Sequence, residues 1–171
     1  MHVREATADD ARAIAQAQVL TWQTAYRGQI PDDHLDGLSV PDRASHWRAL
    51  LLDTRLPWSG VYVGVDGDRV AGFVHFGPSR DADAGPGTGE VGALYVLPDH
   101  WSEGLGRTLL EAARWSLEVA RCSEATLWVL ETNAAARRFY DQGGWSADGA
   151  VRDEERGGAV QHELRYRRRL G

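Results

Sequence analysis

The chain contains no lysine: all 19 of its Lys and Arg positions are arginine. Its wealth of Ala, Gly and Arg is what a GC-rich coding sequence produces, so the bias is not itself a functional signal. Without lysine there is no Gly-Lys-Ser/Thr, which excludes a Walker-type nucleotide loop. The single cysteine, Cys122, rules out an internal disulfide, which fits a cytoplasmic setting. A lone Cys on a helical segment reads as packing rather than chemistry. No apolar run approaches the roughly 20 residues of a membrane span. The opening MHVREATADD lacks the apolar stretch of a signal peptide. Positive charge is in deficit too. The formal net charge of −6 argues against general nucleic-acid binding and is compatible with cationic substrates. In the basic end RYRRRL, Arg165 and Arg167 alternate with Leu164 and Tyr166, as on the solvated face of a strand. No metal site, nucleic-acid partner or membrane partner is expected.

What is present is an ordinary globular composition, 43% hydrophobic and 26% charged over 171 residues. That length suits one domain, residues 1–171, with a sizeable core. Thr7 and Asp10 have capping-box spacing. Ile14, Ala17, Trp22 and Ala25 recur at helical spacing, which predicts a helix from about Asp9 to Tyr26. RGQIPDDHLDGLS reads as a turn-rich link with a short helical piece, and SVPDRASHWRALLLD as a second helix. The period then changes. GVYVGV, DGD and RVAGFVHFG form a hairpin, SRDADAGPGTG a loop, and EVGALYVLP a strand stopped by Pro98. A helix over 104 to about 120, the strand EATLWVLE, the helix NAAARRFYDQ closed by Gly143-Gly144, and two last strands around RGG complete the chain. The order predicts an α/β (α+β) fold. Its central sheet is mixed, mostly antiparallel and of about six to seven strands, with about four flanking helices.

The stretch DHWSEGLGRTLLEAA raises the functional question, because glycine is costly in a helix start. A helix N-terminus exposes unpaired N–H groups and the positive end of a dipole. Removing side chains at Gly104 and Gly106 would let a phosphate approach them closely. A tight turn feeding a helix is the plainer alternative. The formal GxGxxG at Gly87 to Gly92 follows a loop and runs into a strand, the wrong context for a dinucleotide fold.

LYVLPDHWSEGLGRTLLEAA followed by LWVLETNAAARRFYDQGGW resembles the GNAT (GCN5-related N-acetyltransferase) family. Gly104, Leu105 and Gly106 match its Arg/Gln-x-x-Gly-x-Gly/Ala signature; Asn133, Ala136, Phe139 and Tyr140 match its Asn-x-x-Ala-x-x-Phe-Tyr segment. Trp101 departs from the pattern, standing where the family usually has Arg or Gln. Arg107 is the neighbouring cation that could compensate.

The resemblance implies acetyl-CoA as cosubstrate. Backbone N–H groups of Glu103, Gly104, Leu105, Gly106, Arg107 and Thr108 would hold its pyrophosphate. The strand carrying Leu94 and Val96 would pair with the pantetheine arm. An amide near Val96 would stabilise the oxyanion. Asn133 and Arg137 would contact the cofactor or order its site, and Tyr140 would protonate the departing thiolate. A phenol with a pKa of about 10 is a workable donor to a thiolate whose acid has a pKa of about 8.5.

Glu90 is the candidate base. Strand alternation would put Glu90, Gly92, Leu94 and Val96 on one side. His75 is a rival. Trp22 and Tyr26 share a helix face and could wall a cationic amine, with Asp32, Asp33 and Asp36 adding negative potential. The expected acceptor is thus a small-molecule primary amine, polyamine-like or an antibiotic amine, acetylated by direct attack because Cys122 lies outside both motifs. The alternatives are a non-catalytic acyl-CoA sensor and a peptide N-terminal acetyltransferase. A homodimer could form by pairing along QHELRYRRRL.

Overall fold

The computed structural model describes residues 1–53, 55 and 57–171. Seven strands form one sheet: β1 (His2–Glu5), β2 (Gly60–Asp66), β3 (Arg69–Pro78), β4 (Thr88–Val96), β5 (Glu124–Leu130), β6 (Ser146–Arg156) and β7 (Ala159–Arg169). Their spatial order is β1-β2-β3-β4-β5-β7-β6. Every neighbouring pair is antiparallel except β4 with β5. The helices are α1 (Ala11–Ala25), α2 (Asp32–Asp36), α3 (Val40–Leu52), α4 (Leu105–Val119) and α5 (Ala134–Gln142). None of the described helices is long and apolar enough to cross a membrane.

The expected order of elements holds, with one addition. HVRE, too short and too polar to read as a strand, pairs with β2 over Glu5↔Tyr62 to His2↔Val65 and extends the sheet. The capping box also holds. Asp10 accepts the Thr7 N–H at 2.7 Å and the Thr7 hydroxyl at 3.2 Å, and Arg4 clamps the same carboxylate at 2.8 and 2.9 Å. The first strand is thereby pinned to the start of α1. Ser39 caps α3 through the Asp42 N–H, and Asn133 caps α5 through the Ala136 N–H.

The apolar stripe of α4 (Leu105, Leu109, Leu110, Ala113, Leu117) packs under one face of the sheet, against Val74, Phe76, Val91 and Leu127. α1 and α3 cover the other face, with Ile14, Ala15 and Trp47 against Val61, Val63 and Phe73. Gly89 belongs to this packing rather than to a nucleotide loop. A Cβ there would lie 2.8 Å from Leu117 on α4, so the helix sits directly on the strand.

Three expectations are corrected. β7 is an interior strand between β5 and β6, so QHELRYRRRL has no free edge on which to pair with a second copy. Arg165 is not on a solvated face. Its side chain is 7% exposed and is bonded to Asp81, Asp83 and Asp148. The loop after β3 folds back to supply two of those carboxylates, an arrangement that strand alternation alone does not reveal. Finally, Glu90 and Leu94 do not share a face. His75 pairs with Ala93 and Phe76 with Val91, leaving Gly92 as an extra, bulged residue. One inserted residue reverses the alternation, so Glu90, Ala93 and Tyr95 face α1 and α3, while Val91, Leu94 and Val96 face α4.

Removing one member of a buried ion network strands the others and costs roughly 3 kcal/mol. Arg165→Met is expected to lower the unfolding free energy by about that much in chemical denaturation. Arg48→Met, which breaks an exposed 4.0 Å contact with Asp9, should change it by under about 0.5 kcal/mol. Equal losses would show that the Arg165 network is not the buried brace described.

Arg4, together with the Thr7 N–H, holds Asp10 down to about pH 2 against an ordinary 3.8. Its ionised form therefore stabilises the fold fully above pH 4, and that contribution disappears as pH falls toward 2. Asp10→Asn should cost roughly 1–2 kcal/mol at pH 7 and nearly nothing at pH 2, read from denaturation midpoints at both values.

Candidate active site

β4 and β5 run in register for only three residues each, from Thr88↔Glu124 to Glu90↔Thr126. Beyond Glu90 they part. The Leu97 N–H donates to the Ala71 carbonyl at 2.8 Å, which makes residues 97, 95 and 93 the hydrogen-bonded partners of β3. By alternation, the N–H and C=O of Leu94 and Val96 turn away from β3 and into the gap. The gap is therefore lined by an unused strand edge, of the kind that an extended ligand completes as an added strand. One acceptor on that edge is already taken: the Val96 carbonyl receives the Trp101 indole N–H at 2.6 Å and the Thr21 hydroxyl at 3.2 Å.

On the α4 and α5 side the gap opens into a cleft of about 870 Å³, lined by Leu94, Val96, Gly104, Gly106, Arg107, Asn133, Phe139 and Tyr140 among others. The start of α4 faces its mouth. Gly104 has φ +86°, a left-handed conformation that glycine adopts without cost, and nothing lies within 4 Å of where its Cβ would be. The Thr108 N–H is the first to find an acceptor, the Gly104 carbonyl at 3.1 Å. The preceding N–H groups of Leu105, Gly106 and Arg107 lead out of the helix. Thr108 thus drops out of the expected cradle. Glu103 is tied through its side chain to His100, and Leu105 offers only its backbone, its side chain being core. Arg107 is exposed beside the cradle, with no ion pair among the described residues.

Tyr140 closes the deep end. Its ring packs against Phe139, Trp145 and Tyr166. Burial, and then the nearby Tyr95, push its hydroxyl well above the usual phenol range. It stays protonated at neutral pH, and no hydrogen-bond partner holds that hydroxyl among the described residues. Asn133 spends its side-chain oxygen on capping α5. The Arg137 guanidinium bonds the Tyr166 hydroxyl at 3.3 Å and the Glu131 carbonyl at 3.1 Å, and the residue does not line the cleft.

A second, smaller chamber of about 360 Å³ lies across the sheet, between β4, β5, α1 and α3. The two cavities share Tyr26, Val91, Gly92, Ala93, Tyr95 and Trp128 as walls. They meet at the bulge. A Cβ on Gly92 would lie 2.9 Å from His75 Nδ1 and 3.5 Å from an Arg80 nitrogen, so the bare glycine leaves a polar notch where the cavities join. Trp22, Tyr26, His75 and Glu90, expected at an acceptor site, all line this chamber. Trp22 and Tyr26 make an edge-to-face pair at 5.3 Å. Burial, and then Arg80, push His75 down to about 4, so it is neutral at neutral pH, with Nε2 buried and unpartnered. Glu90 is held tightly, taking the Arg80 backbone N–H at 3.0 Å and two guanidinium contacts at 3.2 and 2.6 Å. Asp32 and Asp36 are paired to Arg27 on α2's outer side, and neither they nor Asp33 lines the chamber.

Sequence reading missed Arg43, Arg80, Arg152, Arg156 and Glu163 in this chamber. Part of the signal was available: Arg152, Glu154 and Arg156 repeat every second residue and share one face of β6. Which face met the chamber was not available, because it follows from how the β6–β7 hairpin packs on α2. Among the described residues no group of three or more His, Cys, Asp or Glu is placed to hold a metal.

The model of the acetyltransferase (GNAT) family matches residues 20–145. The uncharacterized N-acetyltransferase YuaI of Bacillus subtilis is 35% identical over 132 residues, 77% of this chain and 72% of that protein. Among solved structures, the paiA N-acetyltransferase of Thermoplasma acidophilum in complex with coenzyme A has a TM-score of 0.75 at 16% identity, covering 99% of this chain and 98% of its own. The Salmonella typhimurium protein yncA, with its cofactor acetyl-CoA, also has a TM-score of 0.75, at 22% identity and 100% and 94% coverage. At those identities the structures establish the shared fold. The family model and the Bacillus relative go further: the chain belongs to the acetyltransferase (GNAT) family.

Proposed function

We propose that the enzyme takes acetyl from acetyl-CoA bound in the cleft between β4 and β5 and passes it directly to the primary amine of a small molecule in the chamber beyond the bulge. The observation that carries this reading is the meeting of two differently built cavities at Gly92. One has an unused strand edge and a helix N-terminus; the other is partly enclosed and polar. Acetyl-CoA supplies an activated acyl group whose carbonyl carbon accepts a nucleophile and whose thiolate must leave.

The chain's own groups match each demand. The N–H groups of Leu105, Gly106 and Arg107, with the Arg107 side chain, meet a pyrophosphate. The edge of β4 at Leu94 and Val96 meets the pantetheine amides and turns an N–H toward the thioester oxygen, where negative charge develops. Trp101, in place of a charged or amide side chain, braces the end of β4 through the Val96 carbonyl and leaves phosphate contact to Arg107. Tyr140, kept protonated by burial, gives its proton to the departing sulfur.

On the acceptor side the arginines of the chamber disfavour an extra positive charge, so the amine is held neutral and ready to attack. Its surplus proton leaves through the polar notch at Gly92. His75, neutral at neutral pH, turns Nδ1 to that notch and is the candidate acceptor there, while its unpartnered nitrogen is the other one, Nε2. Glu90, the carboxylate expected as base, has three of its lone-pair positions taken by Arg80 and serves chiefly to hold that arginine. A direct transfer needs no acyl-enzyme: Cys122 is buried, burial pushes its thiol up, and it lines neither cavity.

Release of CoA thiol from acetyl-CoA against a panel of small amines tests the proposal. Tyr140→Phe should lower kcat on the best amine by about 100-fold while the acetyl-CoA dissociation constant, from calorimetry, stays within twofold. An unchanged kcat would remove Tyr140 from the proton transfer. Gly106→Ala should fold normally, because a Cβ there meets only ordinary contacts at 3.6 Å with Phe139 and Val96. Its methyl intrudes on the close approach of a phosphate to the helix start, so the rise in Tm that acetyl-CoA produces in the wild type should shrink sharply. Retention of that rise would place the cofactor elsewhere.

A further inference from the structure

The chamber beyond Gly92 has the wrong charge for a polyamine. Its lining carries four arginines, Arg43, Arg80, Arg152 and Arg156, against two carboxylates, Glu90 and Glu163. Arg80 is committed to Glu90. Glu163, 7% exposed, is shared: Arg152 reaches one of its oxygens at 2.7 Å and Arg156 the other at 2.9 Å. That leaves the second terminal nitrogen of Arg156 buried with no partner. Arg43 has no carboxylate partner among the described residues. Both Arg43 and Arg156 lie over Trp22, with guanidinium carbons 5.7 and 5.6 Å from its ring centre. The Trp22 indole N–H is buried with the Tyr95 hydroxyl as its neighbouring acceptor, outside ordinary hydrogen-bond geometry. Two cationic groups thus converge over Trp22: Arg156, with a buried nitrogen that nothing accepts from, and half-buried Arg43, with no carboxylate partner among the described residues.

Unmet buried donors and unbalanced buried charge are costly, and the cost is relieved by an acceptor that carries negative charge. Guanidinium forks match the geometry of small oxyanions. A second ammonium in the same space would meet repulsion instead. The chamber, at about 360 Å³, is at the small end of ligand pockets, which favours a small acceptor. Building on the acetyl-transfer reading above, we propose that the acceptor is a small amino acid-like molecule. Its oxyanion, a carboxylate or a phosphorus oxyacid, sits between Arg43 and Arg156 over Trp22, and its primary amine points at the Gly92 notch. The amine nitrogen bonds to the acetyl carbon, the carbon–sulfur bond breaks, the amine loses one proton and the thiolate gains one, so charge and atoms balance.

The test uses matched pairs. CoA release from acetyl-CoA is measured with amino acids, with their phosphonate analogues, and with the corresponding amines lacking the acid group, alongside spermidine. Calorimetry on the CoA-loaded protein measures binding of the N-acetylated acids and of the N-acetylated amines that lack the acid. The acid-bearing members should lead their stripped partners by at least 100-fold in kcat/KM or in affinity, and the carboxylate and phosphonate arms decide which oxyanion fits better. Arg156→Met should raise KM for the acids at least 30-fold without changing acetyl-CoA affinity. Arg43→Met, which breaks no ion pair seen in the fold, should do the same to a smaller degree and guards against a folding artefact at Arg156. Stripped amines or spermidine matching the acids would overturn the proposal, as would a chamber that binds no acid at all. In either case acetyl-CoA binding and turnover of any amine would leave the acetyl-transfer reading standing. Loss of acetyl-CoA binding in the wild type would instead overturn that reading.

Discussion

The parting of β4 and β5 after three paired residues is the constraint on which the site depends. Parallel neighbours in a sheet ordinarily satisfy each other's backbone groups along their length. Here they are held together at one end and released at the other. The closed end is stapled by the loop that follows β3. Arg80 grips Glu90 on β4, Asp81 takes the Trp128 indole N–H on β5, and Asp81 with Asp83 takes Arg165 on β7. With the base of the wedge fixed in this way, the remainder of β4 keeps a free edge at Leu94 and Val96 without the sheet unravelling. A loop that composition marks only as irregular is the clamp that makes the cleft permanent.

The bulge at Gly92 gives the wedge two unlike sides. By reversing the alternation it sends Leu94 and Val96 toward α4 and the helix N-terminus, and Glu90 and Ala93 toward α1 and α3. One missing side chain at the same residue joins the two spaces. An apolar cleft with backbone donors thus lies on one side of β4 and a charged chamber on the other, with Gly92 in the wall they share.

Charge separates along the same line. The chain as a whole is acidic, at −6, and that total suggests a cationic acceptor. The chamber holds the opposite excess because its arginines come from distant segments, α3, the loop after β3, and β6, and their carboxylate partners are outnumbered. The surplus acidic residues lie outside it, as at Asp32 and Asp36 on α2, paired with Arg27. Net charge describes the long-range field of a protein. The potential inside a partly enclosed space is set by the few groups that line it and by how little water screens them.

Local rules were sufficient for much of this protein. Helix spans, the Thr7–Asp10 capping box, the strand-to-helix turn at Gly104 and the two motifs around it depend on residues within a few positions of one another, so they are legible in order along the chain. The place of Tyr140 at the cleft was legible for the same reason, from its position in a motif. Tertiary structure alone decided what depends on pairing between distant segments. It gave the Thr108 N–H and the Arg137 guanidinium partners within the chain, the Gly104 carbonyl for one and the Tyr166 hydroxyl and Glu131 carbonyl for the other. It took Glu90 across the sheet through one bulged residue and bound it to Arg80, and it buried Arg165 beneath a loop more than 80 positions away. It also collected into one chamber arginines that the sequence scatters from 43 to 156. The physical reason is common to all of them: a side chain's chemistry is set by its nearest charges and by the water it has lost, and both are properties of the packed chain rather than of its order.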